Sequence, residues 1–224
     1  MNRFALIADI HGNIHALDAV LADLDRRGIG VIFDLGDSLG GPLDPEATVN
    51  RLIERDIPSI MGNDDRPMQH FPWIAAQPPA RQPAADILLF HGTPDSDLIY
   101  LLEDVQPEGV RLRDTAGIRQ LLGETNHSLY ACGHSHLQRT VQLDERTLIV
   151  NPGSVGLPAY RGDLPYPHAM EAGSPHARYA VVNRIGAAWQ VEHICVPYDY
   201  AAASRTAAAN GRPDWSQRLL TGLA

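Results

Sequence analysis

Phe4-Ala5-Leu6-Ile7-Ala8-Asp9-Ile10-His11-Gly12-Asn13 runs an apolar stretch directly into an aspartate, a histidine and a turn glycine. Phe4–Ala8 has the length and continuous hydrophobicity of a buried strand. Behind it, His15–Arg27 places Leu17, Val20, Leu21 and Leu24 at i, i+3, i+4 and i+7, the stripe of a helix that Gly28 stops. Strand, glycine turn and helix in that order open an α/β unit, with metal-capable side chains in the turn.

Outward from that unit the pattern repeats and then changes. Val31–Leu35 reads as the next strand, and Asp44-Pro45 opens a helix through Arg55, Asp44 as N-cap and Pro45 at the first helical position. Pro58–Met61 and Ile87–Phe90 read as short strands, Asp97–Asp104 and Asp114–Gly123 as helical stretches. From Ser128 on, strands joined by short turns are predicted: Ser128–Cys132, Arg139–Leu143, Thr147–Asn151, Arg178–Arg184 and Ala188–Val196. An alanine-rich helix over Tyr198–Asn210 and a short one over Asp214–Thr221 close the chain. Arg66–Ala85, with five prolines, and Gly156–His176, rich in Pro and Gly, are expected to be irregular cap segments. The expectation is an α/β layered protein, residues 1–224 as one domain, with a large mixed sheet or two packed sheets.

Composition narrows the chemistry. At 44% hydrophobic and 20% charged residues, the 224-residue chain reads as globular. No apolar run approaches the ~18–20 residues that span a bilayer, and the N-terminal run is too short for a signal peptide. A cytoplasmic location without a membrane partner is therefore expected. All 18 basic residues are arginine. Without lysine, Schiff-base chemistry and a P-loop nucleotide site are excluded. No Gly-x-Gly-x-x-Gly follows a strand, which leaves a dinucleotide-binding fold without support. A net charge of −9 disfavours a groove for polymeric nucleic acid. Cys132 and Cys195 fit no metal or redox spacing and are expected to be buried apolar thiols.

Five segments share the design of the first turn: Asp9-Ile10-His11-Gly12, Gly36-Asp37, Gly62-Asn63-Asp64-Asp65, His91-Gly92 and Gly133-His134-Ser135-His136. Each follows an apolar run and joins a glycine to a side chain able to bind a metal. In open α/β sheets ligands bind beyond the carboxyl ends of the strands, so neighbouring strands would gather these turns along one edge. Singly, each has an ordinary reading: a hydrogen-bonded strand end for Asp9 and His11, a turn residue for Asp37, a cap for Asn63-Asp64-Asp65, a core histidine for His91. Five such coincidences at five strand ends read better as one site.

In this order the segments resemble the calcineurin-like metallophosphoesterases, over Asp9 to His136, and Asn151-Pro152-Gly153-Ser154 resembles a later loop of the small prokaryotic phosphodiesterase branch. The resemblance implies a layered α/β sandwich of two mixed β-sheets flanked by helices. It also implies two divalent transition-metal ions, manganese first, with iron, zinc and nickel also suited to imidazole ligands. Asp9, His11 and His136 would hold one ion and Asn63, His91 and His134 the other, with Asp37 bridging. Two ions ~3.5–4 Å apart can share a hydroxide that attacks the phosphoryl group. With Asp9, Asp37 and that hydroxide, the centre keeps a positive charge for an anionic substrate.

Asp64 stands where many members carry a histidine that protonates the leaving group. An ordinary aspartate is ionised at neutral pH, so phosphodiesters of small organic or nucleotide substrates are expected over dianionic monoesters. On this reading Asp37, Asn63 and Asp64 are the catalytic set, and Asn13 and Arg66 substrate contacts; Asn13 could equally cap the helix behind it. His70, Trp73, Tyr160 and Arg161 could also meet a leaving group, although packing or solvent-facing roles are commoner. The alternatives are a dinucleoside polyphosphate hydrolase, a phosphoprotein phosphatase, and a non-catalytic scaffold such as the family's retromer relative. A scaffold is free to lose ligands, and all seven are present.

Overall fold

The computed structural model describes residues 1–124 and 126–224. Its first elements follow the opening pattern: β1 (Arg3–Ile7), α1 (Ile14–Arg26), β2 (Ile32–Asp34) and α2 (Pro45–Glu54). Asn13 and Asp44 cap the two helices, their side-chain oxygens accepting the amides of Ala16 and Ala47. Then come α3 (Pro72–Ala75), β3 (Ala80–Ala84), β4 (Ile87–Phe90), β5 (Glu103–Gln106), β6 (Gly109–Leu112) and α4 (Thr115–Leu122). The second half holds β7 (Leu129–Ala131), β8 (Gln138–Gln142), β9 (Leu148–Pro152), β10 (Ala159–Gly162), β11 (His168–Glu171), β12 (Ala177–Ile185) and β13 (Ala188–Val196). Helices α5 (Tyr200–Ala209) and α6 (Pro213–Thr221) follow.

Two mixed sheets form the centre, one ordered β13-β12-β1-β2 and the other β3-β4-β7-β9-β8. Within them β1 and β2 run parallel, as do β4, β7 and β9. Alternation along β1 explains the layering. Phe4 and Leu6 face the second sheet and pack with Ile87, Leu89, Leu129, Ala131 and Val150. Ala5 and Ile7 face the other way and meet Leu17, Val20, Leu21 and Leu24 of α1. On the far side of the second sheet, Phe90, Tyr130 and Ile149 receive Ile118 and Leu122 of α4. The order is helix, sheet, sheet, helix, and a strand with both faces covered must be apolar at every position.

Five expectations are corrected. Pro58–Met61 is no strand: only Ser59 bridges Asp34, because Pro58 lacks an amide and the chain turns away at Gly62. Arg66–Ala85 is not irregular throughout. It contains a 3-10 turn, α3 and β3, and β3 tolerates Pro83 as an edge strand whose register shifts between Arg81 and Ala84. Asp97–Asp104 forms bends and the start of β5 instead of a helix. Leu98, Leu101 and Leu102 mimic helical spacing, but Leu98 is exposed and the chain turns back through Pro107-Glu108-Gly109 into β6. Gly156–His176 carries the β10–β11 hairpin, with Tyr160 opposite Met170. Cys132 is buried as expected, whereas Cys195 is exposed on edge strand β13.

Candidate metal centre

The β1–β2 ladder continues past both strands into the turns that follow them. Asp9 donates its amide to the Gly36 carbonyl and His11 to that of Asp37, both at 2.9 Å. From the other sheet Gly133 N–H reaches the His91 carbonyl at 2.7 Å, and Gly156 N–H reaches that of Asp9 at 3.0 Å. These bonds hold the turns in a conformation that side chains disfavour. Asp9, His11, Asp37, His134 and His136 all have φ between 52° and 68°. Among the described residues Asp56 is the one other non-glycine with positive φ. Such positions cost of order 1–3 kcal/mol each and persist only where surrounding structure over-determines them.

The strained turns deliver the side chains to one place. His11 Nε2 lies 3.2 Å from His136 Nε2, and His136 Nε2 lies 3.3 Å from Asp9 Oδ1. His91 Nε2 lies 3.2 Å from both Asp37 Oδ2 and Asn63 Oδ1. Asp9, His11 and His136 form one set of potential ligands; Asp37, His91 and His134 form a second; His11, Asp37 and Asp64 a third, so Asp37 belongs to two. All seven side chains singled out in the sequence converge.

The donor chemistry fits cations. The Nδ1 atoms of His11, His91 and His136 lie 2.7–2.8 Å from the carbonyls of Gly40, Leu35 and Leu157, which accept from N–H. A neutral imidazole so anchored turns a bare Nε2 lone pair inward. Two such lone pairs then face each other across 3.2 Å at His11 and His136, an arrangement that needs positive charge between them. Asp9 Oδ2 is buried without a hydrogen-bond partner among the described residues, a second acceptor left unsatisfied.

The neighbouring charges shift these groups in both directions. Burial alone would lower the His91 pKa, but the charge and contact of Asp37 outweigh it and lift it to about 10. Burial would raise Asp37, yet His91 holds its carboxyl well below the usual range. Burial would likewise raise Asp9, and His136 reverses it. Burial and the neighbouring His91 press His134 down to about 4.

The centre opens into a cavity of about 360 Å³ lined by His11, Asp37, Asn63, Asp64, His134, His136, Leu157, Tyr160, Arg161, Arg212, Trp215 and Arg218. A larger recess of about 580 Å³, near Leu98–Tyr100 and Leu164–Tyr166, contains none of the converging ligands. Tyr160 and Trp215 are the aromatic side chains of the lining, and Tyr100 backs it from the neighbouring recess. Tyr100 stacks on His134 with ring centres 4.6 Å apart, and the Tyr160 hydroxyl lies 2.9 Å from both the Tyr100 hydroxyl and the His134 carbonyl. Asp64 sits at the rim, its side chain half exposed, with its amide donating to Asp37 Oδ1 at 2.7 Å. Partial desolvation and Asp37 push its carboxyl pKa up, an effect that solvent weakens.

Not every expected contact reaches the cavity. Asn13 is spent on structure: its Oδ1 caps α1 and its Nδ2 donates to the Gly156 carbonyl and the Tyr198 hydroxyl. Arg66 is ion-paired with Asp97 and does not line the cavity. His70 lies against Phe71, and Trp73 packs on the core beside α1. Tyr160 and Arg161, for which packing or solvent-facing roles are the commoner reading, do line it. Sequence reasoning missed Arg212, Trp215 and Arg218 altogether. Their one local signal is the helix start at Pro213-Asp214, which carries nothing about where α6 docks.

Residues 2–169 match the profile of the calcineurin-like phosphoesterase superfamily domain. A crystal structure of a metallophosphoesterase from Sphaerobacter thermophilus superposes with a TM-score of 0.74 at 22% identity, covering 98% of this chain and 99% of that one. A hypothetical protein from Pyrococcus horikoshii superposes with a TM-score of 0.70 at 16% identity, covering 99% of each chain. An uncharacterised protein of Methanocaldococcus jannaschii is 42% identical over 64 residues, which are 29% of this chain and 26% of that protein's length.

Proposed function

The chain belongs to the calcineurin-like phosphoesterase superfamily, and on that premise we propose that it hydrolyses small phosphodiesters at a centre of two divalent transition-metal ions, manganese first. The observation that carries this reading is the approach of His11 Nε2 to His136 Nε2 at 3.2 Å beside Asp9 Oδ2, which has no partner among the described residues. Asp9, His11 and His136 would hold one ion and Asn63, His91 and His134 the other, with Asp37 serving both. Bound there, the cations would supply Lewis acidity to the phosphoryl oxygens and acidify a water for in-line attack.

The chain's own residues set what reaches that centre. The Nδ1 bonds of His11, His91 and His136 to backbone carbonyls fix each ring, and an Nε2 given to a cation would carry no proton for a leaving group. Asp64 is the titratable side chain left at the rim on the His11 and Asp37 side. In its ionised form it repels a dianionic monoester more than a singly charged diester. No described helix is long and apolar enough to cross a membrane. A cytoplasmic site acting on small esters, not on polymeric nucleic acid, completes the proposal and agrees with the net charge of −9.

The test is turnover of matched aryl diesters, aryl monoesters and an alkyl monoester by chelator-stripped protein reloaded with each metal singly. The expected order is aryl diester above both monoesters, with manganese supporting the highest rate. An alkyl monoester turned over as fast as an aryl diester would reject the diester assignment.

A further inference from the structure

We propose that Arg161, Arg212 and Arg218 form a subsite for a second phosphoryl group, so that the substrate is a small phosphate ester carrying two phosphates. This rests on the phosphoesterase reading above and adds the chemical class of substrate to it. The three guanidiniums come from β10, the loop before α6, and α6 itself, and line the same cavity as His11, Asp37, His134 and His136.

Their pairing is incomplete. Among the described residues the one carboxylate in ion-pair contact with them is Asp214. Arg212 claims it with two hydrogen bonds, Nε to Oδ1 at 2.9 Å and Nη2 to Oδ2 at 2.8 Å. Arg218 reaches the same carboxylate only at 3.4 Å, makes no hydrogen bond to the described residues, and is 16% exposed. Arg161 donates to the backbone oxygen of Ala224, the last residue of the sequence, at 2.6 Å. A guanidinium carries five donors, and burying one with its donors unused is costly unless something else accepts them. Burial lowers the Arg218 pKa, Asp214 opposes that, and Arg212 and Arg161 add to the lowering, the mark of cations crowded together.

Charge identifies the missing acceptor. With Arg212 held by Asp214 and Arg161 by the oxygen of Ala224, Arg218 is the guanidinium whose charge and donors remain for a phosphate to meet. The rest of this acidic chain supplies no general positive field, so that charge is local. Guanidinium forks also suit the paired oxygens of a phosphate. Rigid contacts set the distance to the metal centre. Trp215 meets the His11 ring edge-on with centres 5.6 Å apart, and the Arg212 guanidinium lies 5.4 Å from the Trp215 ring.

The test is calorimetric binding of methylphosphonate and methylenebisphosphonate to manganese-loaded protein, wild type, Arg218→Gln and Arg212→Gln. The expected result is at least tenfold tighter binding of the bisphosphonate by the wild type, falling to about twofold in each variant. Because Arg212 is half exposed, its variant keeps the test open if Arg218→Gln fails to fold. Equal binding of both probes by the wild type, or a preference that survives in both variants, would overturn the subsite even if aryl diesters are turned over. A preference lost in the variants of a protein that hydrolyses no ester with any metal would instead overturn the phosphoesterase reading and the substrate class with it.

Discussion

Gly62 lies against Asp37 so closely that a Cβ there would run into the Asp37 carboxylate and amide. The glycine marks the close approach of two loops, and Asp37, like His11, belongs to two of the three ligand sets. Gly62→Ala is expected to leave the sheets intact, since no core side chain changes, while displacing Asp37. Metal content and aryl diester turnover should each fall at least tenfold, the scale seen when a supporting contact of a metal ligand is lost. Elemental analysis of the purified variant, with circular dichroism to confirm folding, reads this directly. Full metal occupancy in Gly62→Ala would mean that Asp37 has room to move and that the close approach of Gly62 does not hold it in place. At this scale the sequence was legible where chemistry is carried by residue type beside a turn, as at Asp9, His11, His91 and His136. It was not legible where a long side chain can swing either way. Arg66 turned to Asp97, and Arg161 turned into the cavity.

The loop after β2 is braced from beneath by a second pair of acids. Asp34, at the end of β2, accepts from Ser38 Oγ and from Gly36 N–H, while Asp65 accepts the amides of Ser38, Leu39 and Gly62. Burial is the main cause that pushes the Asp34 carboxyl up to about 8; Ser38 opposes it and Asp65 adds to it. An unfolded aspartate titrates near ~3.9. A carboxyl whose folded pKa is raised binds its proton more tightly in the native state. Its contribution is therefore complete below about pH 4 and is lost as the pH rises towards 8. Asp34→Asn keeps one acceptor and removes the proton linkage. Thermal midpoints of wild type and variant should diverge between pH 4 and pH 8, with the variant falling less. Parallel curves across that window would show that Asp34 stays ionised in the folded protein. The misread elements have a related cause. The apolar spacing of Leu98, Leu101 and Leu102 fits a helix, and only the pairing of β5 with β6 decides otherwise. Likewise Pro83 argues against a strand until β3 is known to lie at a sheet edge.

Across the whole molecule, the converging carboxylates and lone pairs make the loop ends of both sheets depend on positive charge between them. Metal bound at ~100 times its dissociation constant stabilises the folded state by about 2.7 kcal/mol. A chain of this size shifts its melting point by about 2–4 °C per kcal/mol. Chelator-stripped protein is thus expected to melt roughly 5–10 °C below the manganese-loaded form. Superimposable melting curves for the two forms would count against a metal centre built into the fold. By itself the amino-acid sequence determined the layered α/β architecture, the helix starts at Asn13 and Asp44, and the set of side chains at the strand ends, because periodicity, capping and glycine turns are local in the chain. Only the tertiary structure decided that the β10–β11 hairpin and α6 close over those strand ends with Tyr160, Arg161, Arg212, Trp215 and Arg218. That docking is settled by apolar contacts of Trp215 and Leu219 with Leu43, Leu157, Ala203 and Ala207, pairings between distant segments that no local pattern encodes.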